Sequence, residues 1–168
     1  KPLIDVFDKP MVENVVKNLG IEGNYIFIIR QSHDENYGIR EYLQKTVPGC
    51  TVISLNQLTE GAACTVLVAE KFINNDAPLI IANSDQFIEW DRDKFIKEVL
   101  ENPNIDGSML TWDGSGPKWS YAKIDESGKV TEVAEKIQIS KHATVGIYYW
   151  ARGSEFVRAA HQMIQNNI

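Results

Sequence analysis

Apolar positions recur along this chain at two different periods, and the alternation between them outlines a fold. Pro10 to Leu19 (PMVENVVKNL) places Met11, Val15, Val16 and Leu19 on one face, with Pro10 in the first turn and Gly20 as the stop, which predicts an amphipathic helix. Tyr25 to Ile29 (YIFII) is instead a short unbroken run of β-forming residues, the pattern of a strand covered on both faces. A helix over Asp34 to Val47, ended by Pro48-Gly49, and a strand over Thr51 to Leu55 (TVISL) follow. Gly61 to Phe72 (GAACTVLVAEKF) is rich in small and aliphatic residues and predicts a helix packed close on a sheet. Leu79 to Ala82 (LIIA) reads as a third buried strand and Asn83 to Trp90 as irregular. Arg92 to Leu100 reads as a helix capped by Asp91 and stopped before Pro103, and Ser108 to Trp112 as a fourth strand. Strands and helices alternating at these lengths predict an α/β fold with a Rossmann-like, mainly parallel sheet and helices on both faces, because a parallel crossover needs a dozen or so residues.

The rhythm then changes. Trp119 to Asp125 and Lys129 to Glu135 flank Glu126-Ser127-Gly128, a turn that joins antiparallel strands, so a β-hairpin is added to the sheet. Thr144 to Trp150 (TVGIYYW) is a further strand, and Phe156 to Ile164 a last helix with Phe156, Ala159, Ala160, Met163 and Ile164 inward. No repeat, low-complexity stretch or linker divides the 168 residues, and 43% hydrophobic content is enough to bury one core, so a single domain over 1–168 is expected. No strand precedes the first helix, whereas doubly wound folds normally open on one, and the last helix ends abruptly at Asn166-Asn167-Ile168. The expectation is a fragment without its N-terminal strand, phosphate loop and C-terminal segment.

Charge and composition narrow the function classes. A net charge of −6 repels polyanions, which argues against sequence-independent binding to nucleic acid or to an anionic membrane. The longest apolar runs, such as Pro78 to Ala82, are far shorter than the roughly 20 residues that cross a bilayer, so a soluble protein is expected. Cys50 and Cys64 show no metal-ligand spacing and suit packing in a reducing cytoplasm. His33, His142 and His161 are scattered and show neither metal nor triad spacing.

Ligands of open parallel sheets bind beyond the carboxyl ends of the strands, so the residues just past each apolar run carry the candidate chemistry. Asn83-Ser84-Asp85 follows the third strand, where a carboxylate can hold a hard divalent cation together with phosphate oxygens; capping of the next turn by Asp85 is an equal alternative. Glu60-Gly61 leads into a helix whose backbone amides could face a base or a phosphate, although a helix start that uses Gly61 for its turn accounts for the pair as well. Glu135-Lys136 ends the hairpin, where neighbours on a strand point to opposite faces unless the strand stops there. Lys1 stands ahead of the first helix, near the same edge if a strand precedes it. Gly146, costly inside a strand, marks a close approach of a ligand or of backbone.

Five segments in order, Lys1 to Val12 (KPLIDVFDKPMV), Leu58 to Ala63 (LTEGAA), Leu79 to Gln86 (LIIANSDQ), Val133 to Lys136 (VAEK) and Ala143 to Trp150 (ATVGIYYW), resemble the sugar-1-phosphate nucleotidyltransferases, or nucleoside-diphosphate-sugar pyrophosphorylases, over essentially the whole chain. The resemblance implies a glycosyltransferase-A-like mixed sheet. It also implies a reaction in which a sugar 1-phosphate attacks the α-phosphorus of a nucleoside triphosphate with Mg2+ as cofactor. By similarity Lys1 contacts phosphates, Glu60, Gly61 and Ser84 belong to the nucleotide site, Asp85 holds the metal, Glu135 and Lys136 meet the sugar phosphate, and Gly146 lines the sugar pocket. Self-association into a homo-oligomer stays open.

The chain departs from the family pattern in several places. The glycine-rich loop and its arginine precede the Lys1 position in the family, and a second metal-binding Asp lies past the Ile168 position. Ile137 replaces the usual Pro after Glu135-Lys136, and Ala122 takes the position of a sugar-contacting Gly after Tyr121. Two other readings remain. A glycosyltransferase of the same fold would hold its donor with Asp-x-Asp, where this chain has Asn83; a non-catalytic domain that senses nucleotide sugars would fit the missing flanks.

Overall fold

The computed structural model describes residues 2–167, so Lys1 lies outside the described residues. In chain order the elements are β1 (Asp5–Val6), β2 (Lys9–Pro10), α1 (Met11–Leu19), β3 (Ile26–Arg30), α2 (Gln31–Tyr37), α3 (Ile39–Thr46), β4 (Thr51–Leu55), α4 (Ala62–Leu67), α5 (Glu70–Ile73), β5 (Leu79–Ala82), α6 (Arg92–Glu101), β6 (Gly107–Asp113), β7 (Ser120–Ile124), β8 (Val130–Glu135), β9 (His142–Trp150) and α7 (Gly153–Gln165).

Two helices that the sequence pattern joins are broken. The segment expected as one helix from Asp34 to Val47 is α2 and α3, separated at Gly38, whose φ of 60° turns the chain left-handed. The Asp34 carboxylate accepts from the Arg40 amide and from Arg40 Nε, both at 2.9 Å, so the new helix start is capped from the old helix; these bonds hold the carboxyl below its usual range. Arg40 also donates to Val52 O and Ser54 Oγ, tying the corner to β4. The helix expected over Gly61 to Phe72 is α4 and α5, because Val68 and Ala69 close i to i+3 bonds to Thr65 and Val66 and tighten the chain there.

The apolar alternation of each strand matches the helices that cover it. Ile26 and Ile28 of β3, Ile53 of β4 and Leu79 and Ile81 of β5 pack with Ala69, Ile73, Phe156, Val157 and Ala160 from α5, α7 and the turn before α5. Phe27, Ile29 and Val52 meet Val12, Ile39 and Leu43 on the other face, with Cys50 among them. Ile80 and Tyr149 meet Phe95 and Val99 of α6. Helices therefore cover both faces, as the pattern requires. Both cysteines are free.

The α/β class and the added hairpin stand, but the parallel and antiparallel pairs lie in separate sheets, and the balance of strand directions differs from the expectation. β3 and β4 form the one parallel pair among the described strands, while β5, β6 and β7 all pair antiparallel with β9, and β8 antiparallel with β7. The hairpin is fixed by its turn, where Asp125 Oδ1 accepts from the amides of Ser127 and Lys129 and from Ser127 Oγ. A cleft of about 750 Å3 separates β3 from β5, walled by α1 and α6. Because β9 comes late and antiparallel, its two edges serve three strands. β6 runs along one edge with a register shift between Met109 and Thr111. The other edge is divided, with β5 on Ile147 to Trp150 and β7 on His142 and Ala143, and Gly146 falls between them.

Candidate functional site

The division of β9 gathers residues that are far apart in sequence. Past the end of β5 the Asn83 amide donates to Gly146 O at 3.1 Å. Gly146 has φ 76°, and a Cβ there would collide with the Asn83 side-chain amide and crowd Gln86 Oε1. The close approach expected at this glycine is thus backbone and side chain from the loop after β5. That loop is pinned from below by α1, where Asn18 Nδ2 donates to Ile88 O and Asn18 Oδ1 accepts from the Ile88 amide at 2.7 and 3.0 Å. Ser84 and Asp85 are exposed on it, and Ser84 lines the cleft between β3 and β5.

Glu135 and Lys136 solve the facing problem of adjacent strand residues by ending the strand between them. Lys136 takes φ 58°, so its side chain swings back to the Glu135 side and Nζ lies 3.0 Å from Glu135 Oε1. Both side chains are exposed, and a pair so solvated contributes little to stability. The Lys136 amide donates to Trp119 O at 3.1 Å, and Ser120 is the register partner of Glu135, which ties the pair to the start of β7.

Between these groups lies a cavity of about 600 Å3, walled by Asn83, Gln86, Phe87, Trp112, Trp119 and Gly146 among others. The pattern reads Trp112 and Trp119 only as strand residues. The nearby signal is two tryptophans on either side of a Gly114-Ser115-Gly116-Pro117 turn, but only the pairing of β6, β7 and β9 turns both rings to one hollow.

Glu60 and Gly61 stand apart from this cluster. Gly61 caps the six-residue α4, with its carbonyl accepting from Thr65 N and Thr65 Oγ1, and Thr59 Oγ1 shares a short hydrogen bond with Thr65 Oγ1. Its φ of −173° is ordinary extended backbone, so the turn does not require glycine, and a Cβ there would meet open space. Among the described residues no group of three His, Cys, Asp or Glu side chains is placed to hold a metal ion without further ligands.

The sequence profile of one family, described as nucleotidyl transferase, matches residues 1–166. The chain belongs to the nucleotidyl transferase family. No protein with a curated description matches it. Among solved structures it is similar to a nucleoside-diphosphate-sugar pyrophosphorylase from Vibrio cholerae RC9, at 22% identity and a TM-score of 0.76 over 98% of this chain and 70% of that one. A protein assigned as a glucose-1-phosphate thymidylyltransferase from Bacillus anthracis aligns at 20% identity and a TM-score of 0.74, over 98% of this chain and 65% of its own. A UDP-glucose pyrophosphorylase complexed with UDP-glucose aligns at 13% identity and a TM-score of 0.64, over 96% and 71%. At these identities the structures establish the shared fold, and the nucleotidyl transferase chain spans about two-thirds of the length of the proteins it resembles. No described helix is long and apolar enough to cross a membrane.

Proposed function

We propose that this nucleotidyl transferase joins a sugar 1-phosphate to a nucleoside triphosphate, giving a nucleotide sugar and pyrophosphate. A sugar-phosphate oxygen forms the new bond to the α-phosphorus as the bond from that phosphorus to the bridging oxygen of the leaving pyrophosphate breaks. The observation that carries the reading is the meeting of three chain regions at the split edge of β9: the Asn83 to Asp85 loop, Gly146, and the Trp119 start of β7 bonded to Lys136.

A phosphate monoester is largely a dianion near neutral pH, so the nucleophile needs alignment and relief from anion repulsion more than a strong base. Lys136 supplies a cation beside the cavity, and Glu135 both holds that cation at 3.0 Å and offers acceptors to sugar hydroxyls. Lys1 adds a further phosphate contact at the chain's start, and Glu60, Gly61 and Ser84 serve the nucleotide, with the open space over Gly61 leaving room for a flat base. The donor set is that of a hard cation held partly by substrate: Asp85 is an exposed carboxylate, and Mg2+ commonly takes one or two carboxylates with phosphate oxygens and water completing its shell. Asp85 would hold Mg2+, whose charge would offset that of the phosphates. The glycosyltransferase reading is weaker because Asn83, at the position of its first carboxylate, stands behind Gly146 with its Nδ2 directed to Gln86 Oε1 at 3.4 Å.

Pyrophosphate release by the full-length protein, measured with each nucleoside triphosphate against a panel of sugar 1-phosphates, tests the proposal. Activity with at least one pair is expected, and Asp85→Asn should lower the rate by at least ~10²-fold. Silence across the panel by a folded protein that still binds nucleotide sugars would replace the enzyme with a binding module.

A further inference from the structure

We propose that Asn18, on the last turn of α1, is a positioning residue for the loop that carries Ser84 and Asp85: its side-chain amide clamps that loop and so sets where the carboxylate stands toward a metal-bound triphosphate. This rests on the nucleotidyl-transfer reading above and adds to it a residue, remote in sequence, through which Asp85 is held in place.

The chain from Asn83 to Trp90 is neither strand nor helix, so its shape depends on what it is tied to. Its start is fixed by the Asn83 amide on Gly146 O. Its far end is fixed by Asn18, whose Nδ2 donates to Ile88 O while Oδ1 accepts from the Ile88 amide. One side chain thus meets both backbone groups of one residue, as a neighbouring strand would, across 70 positions of chain. Asparagine suits this role because it carries a donor and an acceptor on one plane; aspartate only accepts, and leucine, of similar size, does neither. The Asn18 carbonyl adds a third tie, accepting from Trp90 Nε1 at 3.2 Å, and the Trp90 ring lies against Phe95 of α6 with centroids 5.6 Å apart. Asn18 also stands at the edge of the stripe that α1 buries, three residues after Val15, where an apolar side chain would be the ordinary choice. A half-buried amide there costs free energy unless it is bonded, and its bonds go to the loop.

Two features tie the clamp to the site as well as to the fold. Ile88 is three residues from Asp85, a reach of at most ~10 Å of chain, so movement at Ile88 passes to the carboxylate. Ser84, Asp85 and Phe87, between the two anchors, are exposed, so the anchors rather than core packing place that crest. At the other end of α1 the amides of Met11 and Val12 donate to Ile4 O and Pro2 O, which ties the same helix to the segment that follows Lys1. The nine residues of α1 are therefore a strut between the proposed phosphate contact and the proposed metal ligand, with Asn18 as the joint at the metal end. A reaction that depends on alignment more than on a strong base is sensitive to such a joint, since a misplacement of about 1 Å can cost ~10²-fold in rate.

The test compares the full-length protein with its Asn18→Leu and Asn18→Asp variants. It reads hydrogen exchange at the amides of 84–90, the affinity of Mn2+ in the presence of the α,β-methylene analogue of each nucleoside triphosphate, followed by electron paramagnetic resonance, and the Mg2+ dependence of pyrophosphate release. In Asn18→Leu, exchange at the Ile88 amide should rise at least ~10-fold, Mn2+ should bind about tenfold more weakly, and the Mg2+ needed for half-maximal rate should rise by a similar factor. KM for the sugar 1-phosphate should stay within about twofold, because Glu135 and Lys136 are tied to β7 and not to this loop. Asn18→Asp keeps the size of the side chain, loses the donation to Ile88 O, and should shift the metal readouts at least ~3-fold; it decides the matter if the leucine variant does not fold by circular dichroism. Gly38→Ala, strained at φ 60° and remote from the loop, should leave both metal readouts within about twofold. Unchanged exchange at Ile88, or faster exchange with wild-type metal affinity and Mg2+ dependence, overturns the proposal, and so does an equal metal defect in Gly38→Ala. Weakened Mn2+ binding in the variants of a protein that releases no pyrophosphate would keep the positioning role and refute the reaction. Pyrophosphate release with an unchanged Mg2+ requirement in both variants would do the reverse, and a protein that binds no metal with any triphosphate analogue would refute both.

Discussion

Gly146→Ala is the substitution for which the structure gives the most complete arithmetic. The residue lies inside β9 at φ 76°, where an L side chain pays about 1–2 kcal/mol for the left-handed backbone. Its new Cβ would also overlap the Asn83 side-chain amide; that amide is the end of a flexible, exposed side chain and can rotate away, losing its contact with Gln86, for about 1 kcal/mol more. The expected loss is ~2–3 kcal/mol, which for a chain of this size lowers Tm by ~4–12 °C. Chemical denaturation followed by circular dichroism measures it. Asn83→Ala in the same background separates the two parts: it should recover about 1 kcal/mol and leave the backbone cost, a coupling a double-mutant cycle resolves. Gly61→Ala is the control, since extended backbone and open space predict a change within ~0.5 kcal/mol. A Gly146→Ala protein as stable as wild type would refute the argument from positive φ, and a strictly additive cycle would refute the collision with Asn83.

Gly38→Ala isolates backbone strain in another setting, because φ is 60° but no atom stands within 4 Å of a Cβ; a loss of about 1 kcal/mol is expected by urea denaturation, and less for Gly38→Asn. Glu13 accepts from Lys17 Nζ, Tyr42 Oη and Lys9 Nζ, which together lower its carboxyl from 4.5 to about 2. A depressed folded value stabilises above the unfolded value and is lost as pH falls toward 2, so Glu13→Gln should flatten the fall in stability between about pH 4.5 and 2, as read from denaturation midpoints across that range. An acid limb as steep as that of wild type would show that the network does not hold the carboxylate.

Much of the architecture follows from local chemistry alone. The order of strands and helices, the Asp91 cap of α6 and the turn of the β7–β8 hairpin are written in periodicity and in residues whose side chains bond their own backbone, and such contacts close within a few positions. Local chemistry also marks Gly146 as a close approach and Glu135-Lys136 as a strand end, because a glycine within an apolar run and neighbouring opposite charges are anomalies that a regular strand does not explain. The breaks at Gly38 and Val68-Ala69 were less legible, since an apolar run continues through Val68-Ala69, and at Gly38 the bend is held by left-handed backbone and by the Asp34–Arg40 bonds rather than marked by a change of period. Tertiary structure alone decided the pairing. The late strand β9 runs antiparallel and divides one edge between β5 and β7; hydrogen bonds between strands depend on chain return over tens of residues, which no local pattern encodes. From that division come the gap at Gly146, the turning of Trp112 and Trp119 toward one hollow, and a Gln86 Nε2 without an acceptor among the described residues, so the sequence supplied the chemical groups and the packing of the sheet determined which of them meet.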